Sequence, residues 1–359
     1  MAQNIKSVIT GTGSYIPENI VKNEAFLKNQ FYEKDGTRIE KDNQEIIEKF
    51  QSITEIEERR YTSPEQSTSD IGYLAAKNAL ESSNTNPEEL DYIIVAHNFG
   101  DIKSGSNRVN LLPAISSRIK HNLKIVNPDC IAYDLPFGCP GWVQGIIQAD
   151  YFIKSGDAKK ILVIGAETLS KITDEHDRDS MIFADGAAAV ILSAEENTEK
   201  GILAHKAQSH TLDEAYFLKM GPSDKQNSDH PENLYIKMEG RKVYEYALKN
   251  VPMVMKAALD KAGLDVTDVK KVLVHQANGK MDEAILKRFL RLYGLKDAPE
   301  NVMPMTIAKY GNTSVASVPT MLDLILKNQQ NGHQLNEGDV VLFTSVGAGM
   351  NINTVVYRF

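Results

Sequence analysis

An internal duplication is the feature that most constrains the fold. Residues 75–98 and 254–278 each read as an amphipathic helix, a polar turn and a β-branched apolar strand that ends in a His/Asn loop. Residues 138–167 and 311–347 share a second layout: a special residue at a helix start, a helix of about five turns, a Gly-containing turn and an unbroken apolar strand. Such strands are typical of sheets covered on both faces. The pattern predicts a duplicated α/β fold, with two mixed sheets and helices between and outside them.

The length and composition are typical of a globular protein of the size of many enzymes. We place the two halves at residues 1–198 and 199–359, and 42% hydrophobic residues provide ample core material. The net charge of −8 argues against a nucleic-acid partner. No apolar run approaches the length of a membrane span, and the first residues do not form a signal-peptide pattern. Two cysteines without metal-ligand spacing favour free thiols in the cytoplasm and no metal site.

One of these cysteines stands at a conspicuous position. The segment DLPFGCPGW, residues 134–142, puts Cys139 just before a predicted helix, with Pro140 suited to its first turn. A helix N-terminus lowers the pKa of a thiol and favours the nucleophilic thiolate. The alternative is a buried cysteine that acts as a small hydrophobic residue. The sequence therefore leaves both a catalytic and a structural role open for this thiol.

Two further residues occupy matched places in the duplication. Asn312 opens the corresponding helix of the second half, and His275 follows the strand VLV. If the halves pack about a pseudo-twofold axis, both side chains converge on Cys139. Taken singly, the histidine reads as a structural residue and the asparagine as an ordinary helix N-cap. Their matched positions favour a shared site.

A cysteine protease of the papain type is a rival interpretation. In that class a cysteine stands next to an aromatic residue, and its histidine partner lies about 130–150 residues downstream. Here the separation is 275 − 139 = 136 residues. However, Pro140 and Gly141 separate the cysteine from Trp142, and the internal duplication does not fit that class. The protease interpretation is therefore disfavoured.

Five motifs carry a family resemblance. GCPGW, FADGAAAVIL, HQAN, GNTS and GAGM, in this order, resemble the β-ketoacyl-acyl-carrier-protein synthase III branch of the thiolase-fold condensing enzymes. The resemblance runs from GTGSYIPENIVKNEAF near the start to VVYRF at the end. It implies a five-layered αβαβα fold, a homodimer, and a catalytic set of Cys139, His275 and Asn312. It also implies acyl-CoA or acyl-carrier-protein thioesters as substrates, with no prosthetic cofactor.

The resemblance implies a two-stage reaction. The cysteine takes an acyl group from a thioester, and its backbone N–H, with one from the loop of Gly347 and Gly349, forms the oxyanion hole. A malonyl thioester then loses carbon dioxide, and His275 and Asn312 hold the resulting enolate by donating hydrogen bonds. The enolate carbon attacks the acyl-enzyme and gives a β-ketoacyl thioester. No metal is required.

The chain departs from the family pattern at the mouth of the site. The Trp and Arg that usually grip the adenine of CoA are missing, and Lys49 or Phe50 and Ile53 stand there instead. A polar insertion, residues 31–45, precedes them. These changes predict a rebuilt entrance.

Leu112 stands where the family often has a phenylalanine that projects into the partner subunit's acyl tunnel. The smaller residue predicts a longer tunnel; the alternative is a simple core leucine. Long-chain head-to-head condensing relatives use a glutamate base from about this position. A leucine cannot replace it, which favours decarboxylative chemistry.

Three basic residues follow the HQAN motif at helical spacing: Lys280, Lys287 and Arg288. They are candidates for docking an acidic carrier protein, and the alternative is a solvated helix face. The departures favour a specialised ketosynthase, and one possibility resembles the dialkylresorcinol-forming enzymes, which also cyclise their product. A catalytically silent interaction subunit is the alternative of another class. The intact set of three residues argues against it.

Overall fold

The computed structural model describes residues 5–359 and contains two mixed β-sheets. The first has the strand order β1-β9-β8-β4-β7, and the second has the order β10-β15-β14-β13. The strands are β1 Ile5–Tyr15, β2 Asn19–Lys22, β3 Glu58–Tyr61, β4 Tyr92–His97, β5 Asp101–Ile102, β6 Val109–Asn110, β7 Ile131–Pro136, β8 Lys160–Thr168, β9 Asp185–Glu196, β10 Gly201–Ser209, β11 Leu218–Gly221, β12 Tyr235–Met238, β13 Val269–Val274, β14 Val340–Gly347 and β15 Asn351–Arg358. The helices are α1 Asn43–Thr54, α2 Thr68–Ser82, α3 Ile115–Asn122, α4 Gly141–Ser155, α5 Gly240–Lys261, α6 Gly279–Arg291, α7 Ile307–Tyr310 and α8 Ser317–Leu326.

The helices form three layers around these sheets. Helices α4 and α8 lie between the sheets, and their apolar side chains form one core with the inner faces of both. Helices α2 and α3 cover the outer face of the first sheet, and α5 and α6 cover that of the second. The arrangement is αβαβα, and the predicted duplicated α/β architecture is confirmed.

The central core explains why several strands lack polar alternation. All eight residues of β14 are buried, as are nearly all of β8, because each strand has helices on both sides. Trp142 of α4 packs edge-to-face on Phe343 of β14, with 5.9 Å between the ring centroids. Burying two large aromatic side chains at the junction of the sheets contributes roughly 3 kcal/mol or more. This contact joins the two halves directly behind the cysteine loop.

Local signals set the helix ends. Ser67 and Asp70 form a capping box at the start of α2, and α4 ends at Ser155, before Gly156, which adopts the left-handed conformation that glycine tolerates. The predicted five-turn length is wrong for the second matched helix. Helix α8 has 10 residues and is entered through a short 3-10 turn at residues 314–316, because the preceding segment is held in a tight polar turn.

The connection between the sheets runs from Glu196 to Gly201, which is where the sequence placed the boundary. The division of the chain into two domains at 198/199 stays a prediction. Within residues 5–359, no helix combines the length and the apolar character needed to cross a membrane.

Candidate active site

One large cavity, of about 1180 Å³, brings the predicted catalytic residues together. Cys139, His275 and Asn312 all line it, and so do Gly347 and Gly349. The cysteine follows β7, the histidine follows β13, and the asparagine follows α7. The loops that carry them meet because the two halves place equivalent strand ends and helix starts at the same level.

The thiol of Cys139 lies in a position different from the one predicted. Helix α4 begins at Gly141 with Pro140 as its N-cap, so the cysteine stands one residue before the cap. It is partly accessible through the cavity. Burial raises the pKa of the thiol to about 11, and the Ser314 side chain opposes this shift. The expected lowering of the pKa is therefore wrong, because loss of hydration outweighs the helix N-terminus.

His275 is buried and neutral. Its backbone N–H donates to the Thr344 carbonyl at 2.9 Å, which fixes the loop after β13 to the neighbouring strand. The ring Nδ1 lies 2.8 Å from the hydroxyl oxygen of Ser317, which leaves Nε2 for the cavity. Burial lowers the pKa of the imidazole to about 4. The ring is therefore uncharged at neutral pH and carries one proton.

Asn312 is held by its backbone on both sides. Its N–H donates to Ile182 and its carbonyl accepts from Ala184, both at 2.9 Å. The side-chain Oδ1 accepts from the backbone N–H of Ser314 at 2.8 Å. Since that N–H can only donate, the Nδ2 group is left as a donor. The prediction that this asparagine opens a helix is wrong, since α8 begins at Ser317 after the turn that its side chain stabilises.

A glycine loop packs directly on the cysteine. A Cβ atom at Gly347 would lie 2.7 Å from the Cys139 nitrogen and 2.8 Å from its Cβ. Gly349 has φ 70°, in the left-handed region that favours glycine. Within residues 5–359 the Cys139 N–H donates to no backbone carbonyl, and it interacts with its own thiol. It is thus available as a donor next to the sulfur.

Sequence analysis missed a chain of polar side chains beside the thiol. Asn98 lines the cavity and donates hydrogen bonds to the buried carboxylate of Glu167 and to the hydroxyl of Ser314. The available signal was a glutamate near the end of the otherwise apolar strand β8, since an acidic residue there needs a buried partner.

The residues that replace the family pattern line the rim of the cavity. Lys49, Phe50 and Ile53 line it on α1, together with residues of the 31–45 insertion. The charged lining residues are mainly basic. They are Lys34, Lys41, Lys49, Arg178, Lys219, Arg241 and Lys242, against Glu45, Asp179 and Glu239.

The remaining predicted residues lie outside the cavity. Leu112 is 87% exposed, so the core alternative is wrong. Lys280, Lys287 and Arg288 are exposed on α6, and the last of them donates to the Leu248 carbonyl at 3.1 Å. Among residues 5–359, no three or more His, Cys, Asp or Glu side chains are grouped so as to hold a metal ion.

Comparisons with known proteins identify the family of this chain. The family model for 3-oxoacyl-[acyl-carrier-protein] synthase III matches residues 133–211, and the model for its C-terminal part matches residues 259–359. The β-ketoacyl-[acyl-carrier-protein] synthase III of Xanthomonas campestris pv. campestris is 32% identical, over the whole of both chains. The chain belongs to the β-ketoacyl-[acyl-carrier-protein] synthase III family. The predicted family and its acyltransferase class are confirmed.

Solved structures give the same answer for the fold. The 3-oxoacyl-[acyl-carrier-protein] synthase III of Aquifex aeolicus VF5 superposes with a TM-score of 0.79 at 30% identity, covering 98% of this chain and 100% of that one. Xanthomonas campestris OleA, with a TM-score of 0.77 and 18% identity over the whole of both chains, shows the fold alone. The thiolase-like fold of this ketosynthase III family member is confirmed.

Proposed function

We propose that this ketosynthase III family member joins an acyl group carried on Cys139 to a malonyl or β-ketoacyl thioester. The observation that carries the proposal is the convergence of three side chains on one cavity. The sulfur, the neutral His275 ring and the free amide of Asn312 supply a nucleophile and two hydrogen-bond donors. Claisen condensation needs this set and no metal.

In the first stage the sulfur of Cys139 attacks the carbonyl carbon of an acyl thioester. The carbonyl oxygen becomes an oxyanion, which the Cys139 N–H and an N–H of the glycine loop at Gly347 and Gly349 stabilise. The donor's C–S bond then breaks, and its thiol leaves with the proton that the cysteine gave up. Because glycine has no Cβ, the loop can approach the reacting carbon this closely.

In the second stage a malonyl thioester enters and loses carbon dioxide. The negative charge moves to its thioester oxygen, where His275 and Asn312 donate hydrogen bonds. This role needs the histidine proton on Nε2, and in that tautomer the Ser317 hydroxyl, which otherwise donates to the Ser314 carbonyl at 3.1 Å, turns its proton to Nδ1. The enolate carbon attacks the acyl-enzyme, the bond to sulfur breaks, and a β-ketoacyl thioester leaves.

The positive charge of the cavity lining is suited to binding carriers that bear phosphate groups. Both CoA and the phosphopantetheine arm of acyl carrier protein carry negative charge, and seven basic side chains line the cavity against three acidic ones. We assign the exposed Lys280, Lys287 and Arg288 to docking of the acidic carrier. Cys130 and Cys139 are free thiols, which fits a reducing compartment, and we place the reaction in the cytoplasm for fatty-acid or related lipid synthesis.

We also propose that the enzyme is a homodimer. Strand β7 is the edge of the first sheet, and Ile131 at its start is 49% exposed. Leu111 and Leu112, with exposures of 55% and 87%, lie just before α3, whose first residue Ile115 donates to Asp134 of β7. An exposed edge strand beside an apolar patch is typical of a surface that pairs with another chain. A second copy on this surface would receive Leu112 near its acyl tunnel.

Separate assays of the two stages test the division of labour. Replacing His275 or Asn312 by alanine should lower malonyl decarboxylation by roughly 10²–10³-fold, because each removes a donor to the enolate. Acylation of Cys139 should fall far less. Acylation is followed by intact mass and decarboxylation by release of carbon dioxide.

The matched control is His333→Ala, which removes a buried histidine that bonds Lys271 away from the cavity. It should leave both stages close to wild type. Collapse of acylation with decarboxylation intact in the His275 and Asn312 variants would contradict the proposal.

A further inference from the structure

The polar chain beside the thiol begins at a strand end. Asn98 directly follows β4, and Glu167 lies on the neighbouring parallel strand β8. The backbone N–H of Asn98 donates to Glu167 Oε1 at 2.7 Å, and its side-chain Nδ2 donates to the same oxygen. The second Nδ2 proton goes to Ser314 Oγ at 2.9 Å. This carboxyl oxygen of Glu167 therefore fixes both the position and the orientation of the amide.

This arrangement determines where the proton of Ser314 can go. Its oxygen accepts from Asn98, so its own O–H is available for another acceptor. Ser314 and Cys139 line the same cavity, and the serine lowers the pKa of the thiol. The serine is thus prepared to donate once the sulfur becomes negatively charged.

The backbone of Ser314 is held in an uncommon conformation. Its φ is 51°, in the left-handed region where residues other than glycine are rare, and Asn312 Oδ1 stabilises it by accepting its N–H at 2.8 Å. Such conformations persist when surrounding contacts determine them, and they are concentrated at functional sites. This observation is independent of the Asn98 contacts and also directs attention to the hydroxyl.

We propose that Glu167, Asn98 and Ser314 form a positioning chain that directs the Ser314 O–H to the sulfur of Cys139 as the sulfur attacks the acyl thioester. The inference rests on the proposed nucleophilic role of Cys139. The cysteine S–H proton leaves with the departing thiol, a new S–C bond forms and the donor's C–S bond breaks. Ser314 donates a hydrogen bond throughout and transfers no proton.

The chain also accounts for a buried carboxyl group that the two-stage reaction does not use. Glu167 is 1% exposed, and burial raises its pKa to about 8, with the two Asn98 contacts opposing the shift. A negative charge on Glu167 raises the pKa of the Cys139 thiol. A carboxyl group so close to a nucleophilic sulfur opposes ionisation of the thiol. The hydrogen bonds by which Glu167 holds Asn98 explain why the carboxyl group is nevertheless present.

The test is the pH dependence of Cys139 alkylation by iodoacetamide, which reports the apparent pKa of the thiol without any acyl substrate. Ser314→Ala should raise this pKa by about one unit and slow acylation roughly 10-fold, since hydrogen bonds to charged groups are strong. Asn98→Ala should act in the same direction. The double variant should be no worse than Ser314→Ala, because the two residues act in series.

Glu167→Leu and Glu167→Gln both remove the charge that raises the thiol pKa, so comparing the two isolates the acceptor. Glu167→Gln keeps a carbonyl acceptor for Asn98 and should therefore have the lower thiol pKa and the faster acylation of the pair. Ser116→Ala is the matched control: its buried hydroxyl has no partner within residues 5–359 and lies on α3. It should leave the profile unchanged.

An unchanged thiol pKa in both Ser314→Ala and Asn98→Ala would overturn the inference. Failure of the proposed function looks different: wild-type Cys139 would then not be acylated at all, while its alkylation profile could still be measured. The Ser314→Ala backbone keeps the N–H that bonds Asn312, and melting temperatures identify any variant that fails to fold.

Discussion

Replacing Gly347 by alanine tests how closely the glycine loop approaches the reacting carbon. The backbone there has φ −172°, which any residue adopts, so alanine adds no conformational strain. Its Cβ would lie 2.7 Å from the Cys139 nitrogen and 2.8 Å from both its Cβ and the Pro140 Cδ. Favourable carbon contacts begin at about 3.5 Å, so the cysteine loop must move by roughly 0.7 Å.

A displacement of this size affects rate more than stability. Misplacement by about 1 Å lowers rates by about 10²-fold, so we expect acylation of Cys139 to fall by roughly 30- to 100-fold. Overpacking costs about 1–3 kcal/mol, and the fold should survive. The assay is rapid-quench intact mass with octanoyl-CoA, together with a melting curve.

Gly263→Ala is the matched control. Gly263 has φ 70°, and an alanine methyl group there would meet no atom within 4 Å, so the substitution destabilises the protein by about 1–2 kcal/mol through backbone conformation alone. Gly263 lies outside the cavity that contains the thiol, so Cys139 in this variant should be acylated at the wild-type rate. Wild-type acylation rates in Gly347→Ala would refute the placement of the glycine loop at the reacting carbon.

Two further substitutions probe stability and chain length. Asp282 on α6 is fully buried, and burial raises its pKa although backbone N–H groups of Ala277 and Asn278 oppose the shift. Asp282→Leu should therefore raise the melting temperature, and by more at about pH 8 than at about pH 5, because only the carboxyl group of the unfolded chain ionises freely above about pH 4. The control Glu283→Gln, on the exposed side of the helix, should leave the melting temperature unchanged. A melting temperature of Asp282→Leu equal to or below that of the wild type at both pH values would contradict this prediction. Leu112→Phe should slow the loading of long acyl groups by one to two orders of magnitude and spare groups of two to four carbons. The estimate takes about 0.8 kcal/mol for each of two or three methylenes that lose their room in the tunnel. The variant is assayed as protein that sedimentation shows to be dimeric. Parallel losses at every chain length would exclude a tunnel role.

The duplication was sufficient to predict the architecture. Strands such as β8 and β14 read as unbroken apolar runs because both of their faces are covered, and matched helices precede matched strands. The same pattern predicted that Cys139, His275 and Asn312 would share a site, since equivalent strand ends and helix starts meet in a doubled fold. The pattern predicted this only on the assumption of a pseudo-twofold axis, and the catalytic roles of the three residues came from the family resemblance; in the structure all three line one cavity.

Properties that depend on surroundings could not be predicted in the same way. The position before a helix suggested a lowered pKa for the Cys139 thiol. In the structure the loss of hydration on burial raises this pKa by more than the helix N-terminus lowers it. Asn98 lies 69 residues from Glu167 and 216 from Ser314, so no local spacing connects them. The sequence left a tunnel role and a core role open for Leu112, and only its 87% exposure excludes the core role.

The central claim is that Cys139 carries the acyl group, and intact mass after incubation with acyl thioesters of graded length tests it most directly. We expect a mass gain of one acyl group per chain, located on the peptide that contains Cys139, and its loss in Cys139→Ser because no general base is placed to activate a hydroxyl there. Cys130→Ser should load normally, since Cys130 is buried and burial raises its pKa. Acylation that persists in Cys139→Ser, or that labels Cys130 equally, would contradict the account.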